Sequence, residues 1–74
     1  MVFERIKEMI CDQFDIPEEE ITMDSTMEDL DIDSIDAVDL AMSIEDEFDI
    51  DIPDNELEGF KSVGDVVRFV ESVQ

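Results

Sequence analysis

The sequence predicts an all-α fold: a small bundle of three principal helices plus one short helix, with a long loop between the first two helices. Apolar residues make up 43% of the chain and recur at helical spacing in separate segments. Gly and Pro number only two each, too few for an all-β chain rich in tight turns. A length of 74 residues suits one small domain, so we expect residues 1–74 to form a single domain.

The first helix is predicted over residues 3–14, where apolar side chains recur along one face. They are Phe3, Ile6, Met9, Ile10 and Phe14. Cys11 falls at the edge of this stripe, which favours packing over a role as a reactive thiol. Pro17 follows shortly after, so the helix should end near Phe14 or Asp15.

Residues 16–33 are predicted to form a long loop, with Ile21 and Leu30 as inward-facing anchors. Such a length is unusual in so small a domain and indicates either a short internal turn or a functional role. The second helix is predicted to begin at Ser34 and to run to about Phe48.

The last third of the chain is predicted to contain a short helical turn and a final helix. An extended link precedes them and contains Ile50, Ile52 and Pro53. Asp54 should cap the short turn, which runs through about Glu58 and ends at Gly59. Ser62 and Asp65 resemble a capping box that opens the last helix. Its apolar side consists of Val63, Val66, Val67, Val70 and Val73. A strand is the alternative because Val is β-branched, but the spacing favours a helix.

The charge of the chain is strongly acidic. Asp and Glu number 24 against four Lys and Arg, for a net charge of −20, and no base lies between Lys7 and Lys61. Such a surface repels nucleic acid and anionic membranes and attracts basic patches on partner proteins. No apolar run approaches the roughly 18 residues of a transmembrane helix, and charges interrupt the N-terminal apolar residues. We therefore expect a soluble, monomeric, cytoplasmic protein without nucleic-acid binding or membrane insertion.

Residue types on which many enzymes depend are missing. The chain has no His, so neither a Ser-His-Asp nor a Cys-His arrangement can form within it. Cys11 is the only Cys, which excludes an internal disulfide and a zinc site. Two carboxylates could be found for acid–base chemistry, but so short a helical chain offers them no deep cleft. An independent enzyme is not expected.

The second helix carries two apolar faces. One has the spacing of a core face and contains Ala37, Leu40, Ala41, Ile44 and Phe48. The second, which we call the second stripe, consists of Ile35, Val38 and Met42 and lies nearly opposite. Acidic residues surround it: Asp36, Asp39, Glu45 and Asp46. An exposed apolar patch with a charged rim is typical of a docking surface. The alternative is that Ile35 and Val38 tuck under the preceding loop.

Ser34 lies where the loop meets the second helix, and a Ser at that place is commonly just an N-cap. The preceding Asp29, Asp31 and Asp33 match the first three ligand positions of a calcium loop. That loop also needs Gly at its sixth position and Glu at its twelfth, where this chain has Ser34 and Leu40. The sequence therefore predicts no EF-hand and no dedicated metal site, and it leaves open weak binding of divalent cations by the clustered Asp residues.

Several short motifs around Ser34 resemble those of the acyl carrier protein family. They are Asp29-Leu30, Asp33-Ser34-Ile35-Asp36, Val38-Asp39-Leu40, Glu45-Asp46-Glu47-Phe48 and Ile52-Pro53. The family pattern around its attachment serine is Asp-Leu-Gly-x-Asp-Ser-Leu. The similarity extends over most of the chain, through Glu4-Arg5-Ile6-Lys7, residues 17–22 and Ser62-Val63.

The resemblance implies that Ser34 Oγ carries 4′-phosphopantetheine, installed from coenzyme A by a phosphopantetheinyl transferase. Acyl groups would ride on the arm as thioesters for synthases, transferases or ligases with basic docking patches, in fatty acid biosynthesis. Positions that match the family's docking surface are Asp33, Ile35, Asp36, Val38, Asp39, Met42, Glu45 and Asp46. Candidates to line an acyl chamber are Leu40, Ile44, Phe48, Ile52 and Phe60, for which core packing alone is the alternative.

Two positions depart from the family pattern. Asp31 stands where the family has Gly, and Ile35 where it has Leu. Gly tolerates backbone angles that Asp adopts less easily, so Asp31 should stiffen the turn before the serine. These departures leave open a specialised carrier of polyketide, aminoacyl (for example D-alanyl) or modified-lipid intermediates. From another class, an unmodified acidic interaction module also remains open.

Overall fold

The computed structural model describes all 74 residues and contains four α-helices and no strand. The helices are α1 (Val2–Phe14), α2 (Ser34–Phe48), α3 (Asp54–Gly59) and α4 (Val63–Val73). A 3₁₀ turn, Glu18–Glu20, interrupts the long loop between α1 and α2. The predicted all-α bundle of three principal helices and one short helix is confirmed, and the loop contains a short internal turn.

The helix ends follow local chemistry. Asp15 and Asp49 close α1 and α2 in the left-handed conformation, with φ of 57° and 55°. A capping box opens α4: the Ser62 side chain accepts from the Asp65 amide, and the Asp65 carboxylate accepts from the Ser62 amide. These contacts rule out the strand alternative for this segment. The prediction that Asp54 caps the short helix is wrong, because Asp54 is already its first residue and no side chain caps this end.

The core combines three helices with the loops between them. Its thirteen buried residues are Ile6, Ile10, Ile21, Leu30, Ile32, Leu40, Ala41, Ile44, Ile52, Val63, Val66, Val67 and Val70. The predicted loop anchors Ile21 and Leu30 are therefore confirmed. Val73 departs from the predicted apolar side of α4, since it is 46% exposed at the last helical turn.

Backbone hydrogen bonds fix the long loop against the start of α4. The Val63 amide donates to Ser25 O at 2.9 Å, and the Gly64 amide donates to Met23 O at 2.8 Å. A Cβ at Gly64 would lie 2.8 Å from the same Met23 oxygen, so this close approach requires glycine. Ser25 is buried, and its hydroxyl donates to Glu20 O. These contacts hold the loop that leads into α2.

Few of the charges are paired within the chain. Arg5 donates to Glu8 and to Glu47, and the second of these bonds joins α1 to the end of α2 at 2.9 Å. Hydrogen bonding to Arg5 lowers the pKa of the Glu47 carboxyl. The remaining ion pairs are Lys7 with Glu4 and Arg68 with Asp65. None of the helices combines the length and the apolar character needed to cross a membrane.

Candidate functional site at the start of helix α2

Ser34 is the first residue of α2 and is exposed, but it does not cap the helix. Asp33 is the N-cap: its Oδ1 accepts a hydrogen bond from the Asp36 amide at 2.9 Å. The Ser34 hydroxyl takes part in no hydrogen bond within the chain. The interpretation of Ser34 as a plain N-cap is therefore wrong, and its hydroxyl has no structural task in the fold.

The turn before Ser34 is held in an unusual backbone conformation. Asp31 has a φ of 59°, in the left-handed region that favours Gly. On either side of it, Leu30 and Ile32 are buried, which fixes the direction of the turn. The Ile32 amide donates to Met27 O at 2.9 Å, and the Asp31 amide donates to Glu28 O at 3.0 Å. Asp31, which stands where the family pattern has Gly, therefore lies at a position whose backbone angles favour glycine.

The second stripe lies on the surface. Ile35 is 72% exposed, Met42 is 59% exposed and Val38 is 44% exposed. The alternative that Ile35 and Val38 tuck under the preceding loop is wrong. These three side chains form an apolar patch along α2 that begins next to Ser34.

The acidic residues around the second stripe do not all have the same surroundings. Asp39 and Asp46 are exposed, whereas Asp36 and Glu45 are half-buried. Glu45 Oε2 accepts a short hydrogen bond of 2.7 Å from the Ile52 amide. Glu45 therefore ties the link between α2 and α3 to α2, a task that the sequence pattern did not reveal.

A small cavity lies between α2 and α3, and all nine of its lining residues are apolar. They are Met27, Ala37, Leu40, Ala41, Ile44, Ile52, Leu57, Phe60 and Val66. Its volume is about 20 Å³, room for a single water-sized group. Of the five predicted chamber residues, Phe48 does not line this cavity. Met27 and Leu57 were missed because the loop and the six-residue α3 carry no periodic signal.

An open groove of about 320 Å³ connects Ser34 to the wall of this cavity. Its lining residues are Met27, Ile32, Asp33, Ser34, Ala37, Val38, Leu57, Glu58 and Phe60. Four of them, Met27, Ala37, Leu57 and Phe60, also line the cavity between α2 and α3. A group attached to Ser34 therefore has an apolar path towards the core between α2 and α3.

Other candidate chemistry is weak in the fold. Burial raises the pKa of the Cys11 thiol, and nearby acidic groups add to the effect, so this thiol is a poor nucleophile at neutral pH. No group of three or more acidic or Cys side chains is arranged to hold a metal ion.

Comparison with known proteins decides the family. The family model described as "Phosphopantetheine attachment site" matches residues 4–70. An acyl carrier protein of Clostridium perfringens is 49% identical over 70 residues, which cover 93% of this chain and 92% of the relative. The chain belongs to the acyl carrier protein family. An acyl carrier protein of Clostridium acetobutylicum is also 49% identical, over 97% of this chain and 95% of that relative. The crystal structure of an acyl carrier protein from Thermotoga maritima has a TM-score of 0.84 at 29% identity, covering 97% of this chain and 89% of that one.

Membership of the acyl carrier protein family implies a covalently attached 4′-phosphopantetheine group. The start of α2 suits its phosphate. The amides of Ser34 and Ile35 have no acceptor within the chain, and the positive end of the helix dipole lies there. Acyl carrier proteins carry intermediates and do not themselves catalyse the reactions.

Proposed function

We propose that Ser34 Oγ holds the 4′-phosphopantetheine arm through a phosphodiester. On that arm the chain carries acyl intermediates of fatty acid biosynthesis as thioesters. The observation that supports this most is the free, exposed Ser34 hydroxyl, because the neighbouring Asp33 caps the helix in its place. The chain has no His to activate the hydroxyl, so the transferase supplies the base that takes the Ser34 proton. As the Ser34 Oγ–phosphorus bond forms, the pyrophosphate bond of coenzyme A breaks and adenosine 3′,5′-bisphosphate leaves.

The second stripe supports docking of partner enzymes beside Ser34. Its exposed apolar side chains would contact an apolar centre on the partner, and Asp39 and Asp46 would face basic groups around that centre. The carboxylates of Asp33 and Glu45 also accept hydrogen bonds within the fold, so their substitution changes the fold as well as any docking. The partners that we propose are a phosphopantetheinyl transferase and acyl synthases, transferases or ligases with basic patches.

The cavity between α2 and α3 supports a sheltering role towards the acyl chain. At about 20 Å³ it takes only one small group as it stands, so a longer chain needs outward movement of α3. That helix is suited to move, since it has six residues and no side-chain cap, and Leu57 is its one residue that is not exposed. We propose that the protein acts as a monomer in the cytoplasm and is a carrier without catalytic activity of its own.

The test is to incubate the protein with coenzyme A and a broad-specificity phosphopantetheinyl transferase and to record intact masses. Wild type should gain the mass of one arm, and Ser34→Ala should gain none. Ser43→Ala is the matched control. Ser43 lies on the same helix, but its hydroxyl donates to Asp39 O and to Gln13 Oε1. An arm on Ser34→Ala, or none on wild type, would refute the attachment.

The relatives reported above do not favour the specialised carriers or the unmodified interaction module. The protein that carries the arm can be offered to ligases for fatty acyl, D-alanyl and polyketide starter groups. Their loading rates would compare a fatty acyl carrier directly with the specialised carriers. Preferential loading with a fatty acyl group is the expected result.

A further inference from the structure

A second open groove, which we call the Lys61 groove, continues the groove at Ser34. It has a volume of about 330 Å³. Its lining residues are Thr26, Met27, Glu28, Glu58, Phe60 and Lys61. Three of them, Met27, Glu58 and Phe60, also line the groove at Ser34. The two grooves therefore form one surface path from the start of α2 to Lys61, outside the cavity between α2 and α3.

Lys61 is the one base of this chain that forms no ion pair. The other three Lys and Arg side chains each pair with a carboxylate. Glu28 and Glu58 line the same groove as Lys61, but neither carboxylate pairs with its ammonium group. A carboxylate brought into this groove would therefore gain an ion pair that the fold itself leaves unmade.

The backbone of Lys61 is held on both sides, whereas its side chain is exposed. The Lys61 amide donates to Asp65 Oδ2 at 3.0 Å, and Lys61 O accepts from the Met27 amide at 3.1 Å. The ammonium group thus extends from a fixed Cα atom and makes no hydrogen bond within the chain. Removing the charge by Lys61→Met leaves both backbone contacts in place.

An arm on Ser34 is long enough to reach the Lys61 groove. Its extended chain is about as long as five extended residues, roughly 17 Å. The shortest dimension of the molecule is 19 Å. The end of the arm therefore reaches most of the face on which the two grooves lie, and the shared residues Met27 and Phe60 offer apolar contacts to its methylenes.

We propose that Lys61 binds the free carboxylate of a dicarboxylic acyl group carried on the arm. This inference rests on the proposed attachment of the arm at Ser34. The ligand class is an acyl group that is a thioester at one end and a carboxylate at the other. Its carboxylate pairs with the Lys61 ammonium group on the surface, while the arm lies along the two grooves.

The tether makes so weak a contact useful. One exposed ion pair changes an equilibrium by up to about fivefold, and salt reduces the effect. Glu28 and Glu58 oppose the incoming carboxylate, so a free anion in solution would bind poorly. The arm instead holds its cargo near Lys61 at an effective concentration in the millimolar range, which populates the contact.

The test compares protein loaded from malonyl-coenzyme A with protein loaded from its neutral amide, malonamoyl-coenzyme A. Lys7 and Lys61 are the only lysines of the chain, and Lys7 already pairs with Glu4. Both are acetylated by a limiting amount of an uncharged amine reagent at neutral pH, and mass spectrometry of the peptides gives the ratio of Lys61 to Lys7 labelling. Malonyl should lower this ratio about two- to fivefold relative to malonamoyl, because an ion pair holds the ammonium group in its unreactive, protonated form.

Glu58→Gln changes the result in the opposite direction from loss of Lys61. It removes a competing carboxylate from both grooves, so the fall in the labelling ratio should be larger than in wild type. Added salt should make the fall smaller. A smaller fall in Glu58→Gln, or a fall that salt does not change, would contradict an ion pair.

A second readout is the amide chemical shift of Thr26, which lines the Lys61 groove. It should differ between the malonyl-loaded and malonamoyl-loaded forms of wild type. Arg68→Met is the matched control for Lys61→Met, because Arg68 lines a different groove that shares only Phe60 with the groove at Ser34. The shift difference should vanish in Lys61→Met and remain in Arg68→Met.

Intact mass separates the possible failures. If no arm is found on Ser34, the attachment and this inference are both refuted. If malonyl is fully loaded on Ser34 but the labelling ratio equals that of the malonamoyl form, the role of Lys61 is refuted while the attachment stands. A Thr26 shift difference that persists in Lys61→Met would also refute binding of the carboxylate by Lys61.

Discussion

Replacing Asp31 with Gly should make the protein more stable. Asp31 has a φ of 59°, and a side chain in the left-handed region costs about 1–2 kcal/mol, with Asp at the lower end because it adopts this region more readily than most residues. The greater conformational freedom of Gly in the unfolded chain offsets about 0.4–1 kcal/mol of the stability gained by relieving this strain. A net stabilisation of up to about 0.6 kcal/mol remains, equivalent to a rise in melting temperature of up to about 5 °C for a domain of this size.

The assay is urea and thermal unfolding followed by circular dichroism, with two controls. Asp31→Asn removes the same charge but keeps a side chain that tolerates the left-handed region, so it isolates the effect of charge. Asp24→Gly makes the same exchange at an exposed loop position without a positive φ, and it should not stabilise. Backbone strain at Asp31 is refuted if Asp31→Gly is no more stable than Asp31→Asn, or if Asp24→Gly gains as much stability as Asp31→Gly.

Three further outcomes are expected. Glu45→Gln should lower the free energy of unfolding by about 1 kcal/mol, because Glu45 accepts the Ile52 amide, while Asp46→Asn should change it little; equal losses in urea titrations would contradict this. The pKa of Asp65 is lowered, chiefly by a backbone amide hydrogen bond. Its contribution to stability should therefore be complete above the unfolded-state pKa of about 3.9 and disappear as the pH falls through the lower folded-state value. The stability difference between wild type and Asp65→Asn should shrink as the pH falls from 6 to 2.5. A constant difference would contradict a stabilising role of the ionised Asp65 carboxylate. Reversing Asp39 and Asp46 to Lys should reduce acyl transfer by partner enzymes at least tenfold with unchanged helicity; turnover equal to wild type would exclude the acidic rim from docking.

The helices could be read from the sequence because their apolar spacing is regular. The prediction for α1 began at residue 3 instead of Val2, and α2 was placed over the residues that the structure shows. The start of α4 followed from the Ser62 and Asp65 pair, a local signal that needs no tertiary contact. Where the side-chain pattern of a helix lies within its own residues, that pattern was sufficient to predict the helix.

The site was harder to predict from the sequence. Its features depend on which of two adjacent residues caps α2, or on contacts between residues far apart in the chain. Asp33 and Ser34 are both good capping residues. A shift of one position in the start of α2 decides whether the Asp33 carboxylate or the Ser34 hydroxyl accepts the capping hydrogen bond. The bond from the Ile52 amide to Glu45 joins residues in two different elements and uses a backbone donor that every residue has. Cavity walls from Met27 and Leu57 come from segments without periodicity.

The most direct test of the central claim is to locate the arm on the chain. Protein loaded by the transferase is digested, and the modified peptide is sequenced by tandem mass spectrometry. The structure predicts a single arm on Ser34, the one hydroxyl at the start of α2 that has no partner within the chain. An arm on Ser25, Ser43, Ser62 or Ser72, or no modified peptide at all, would contradict the account.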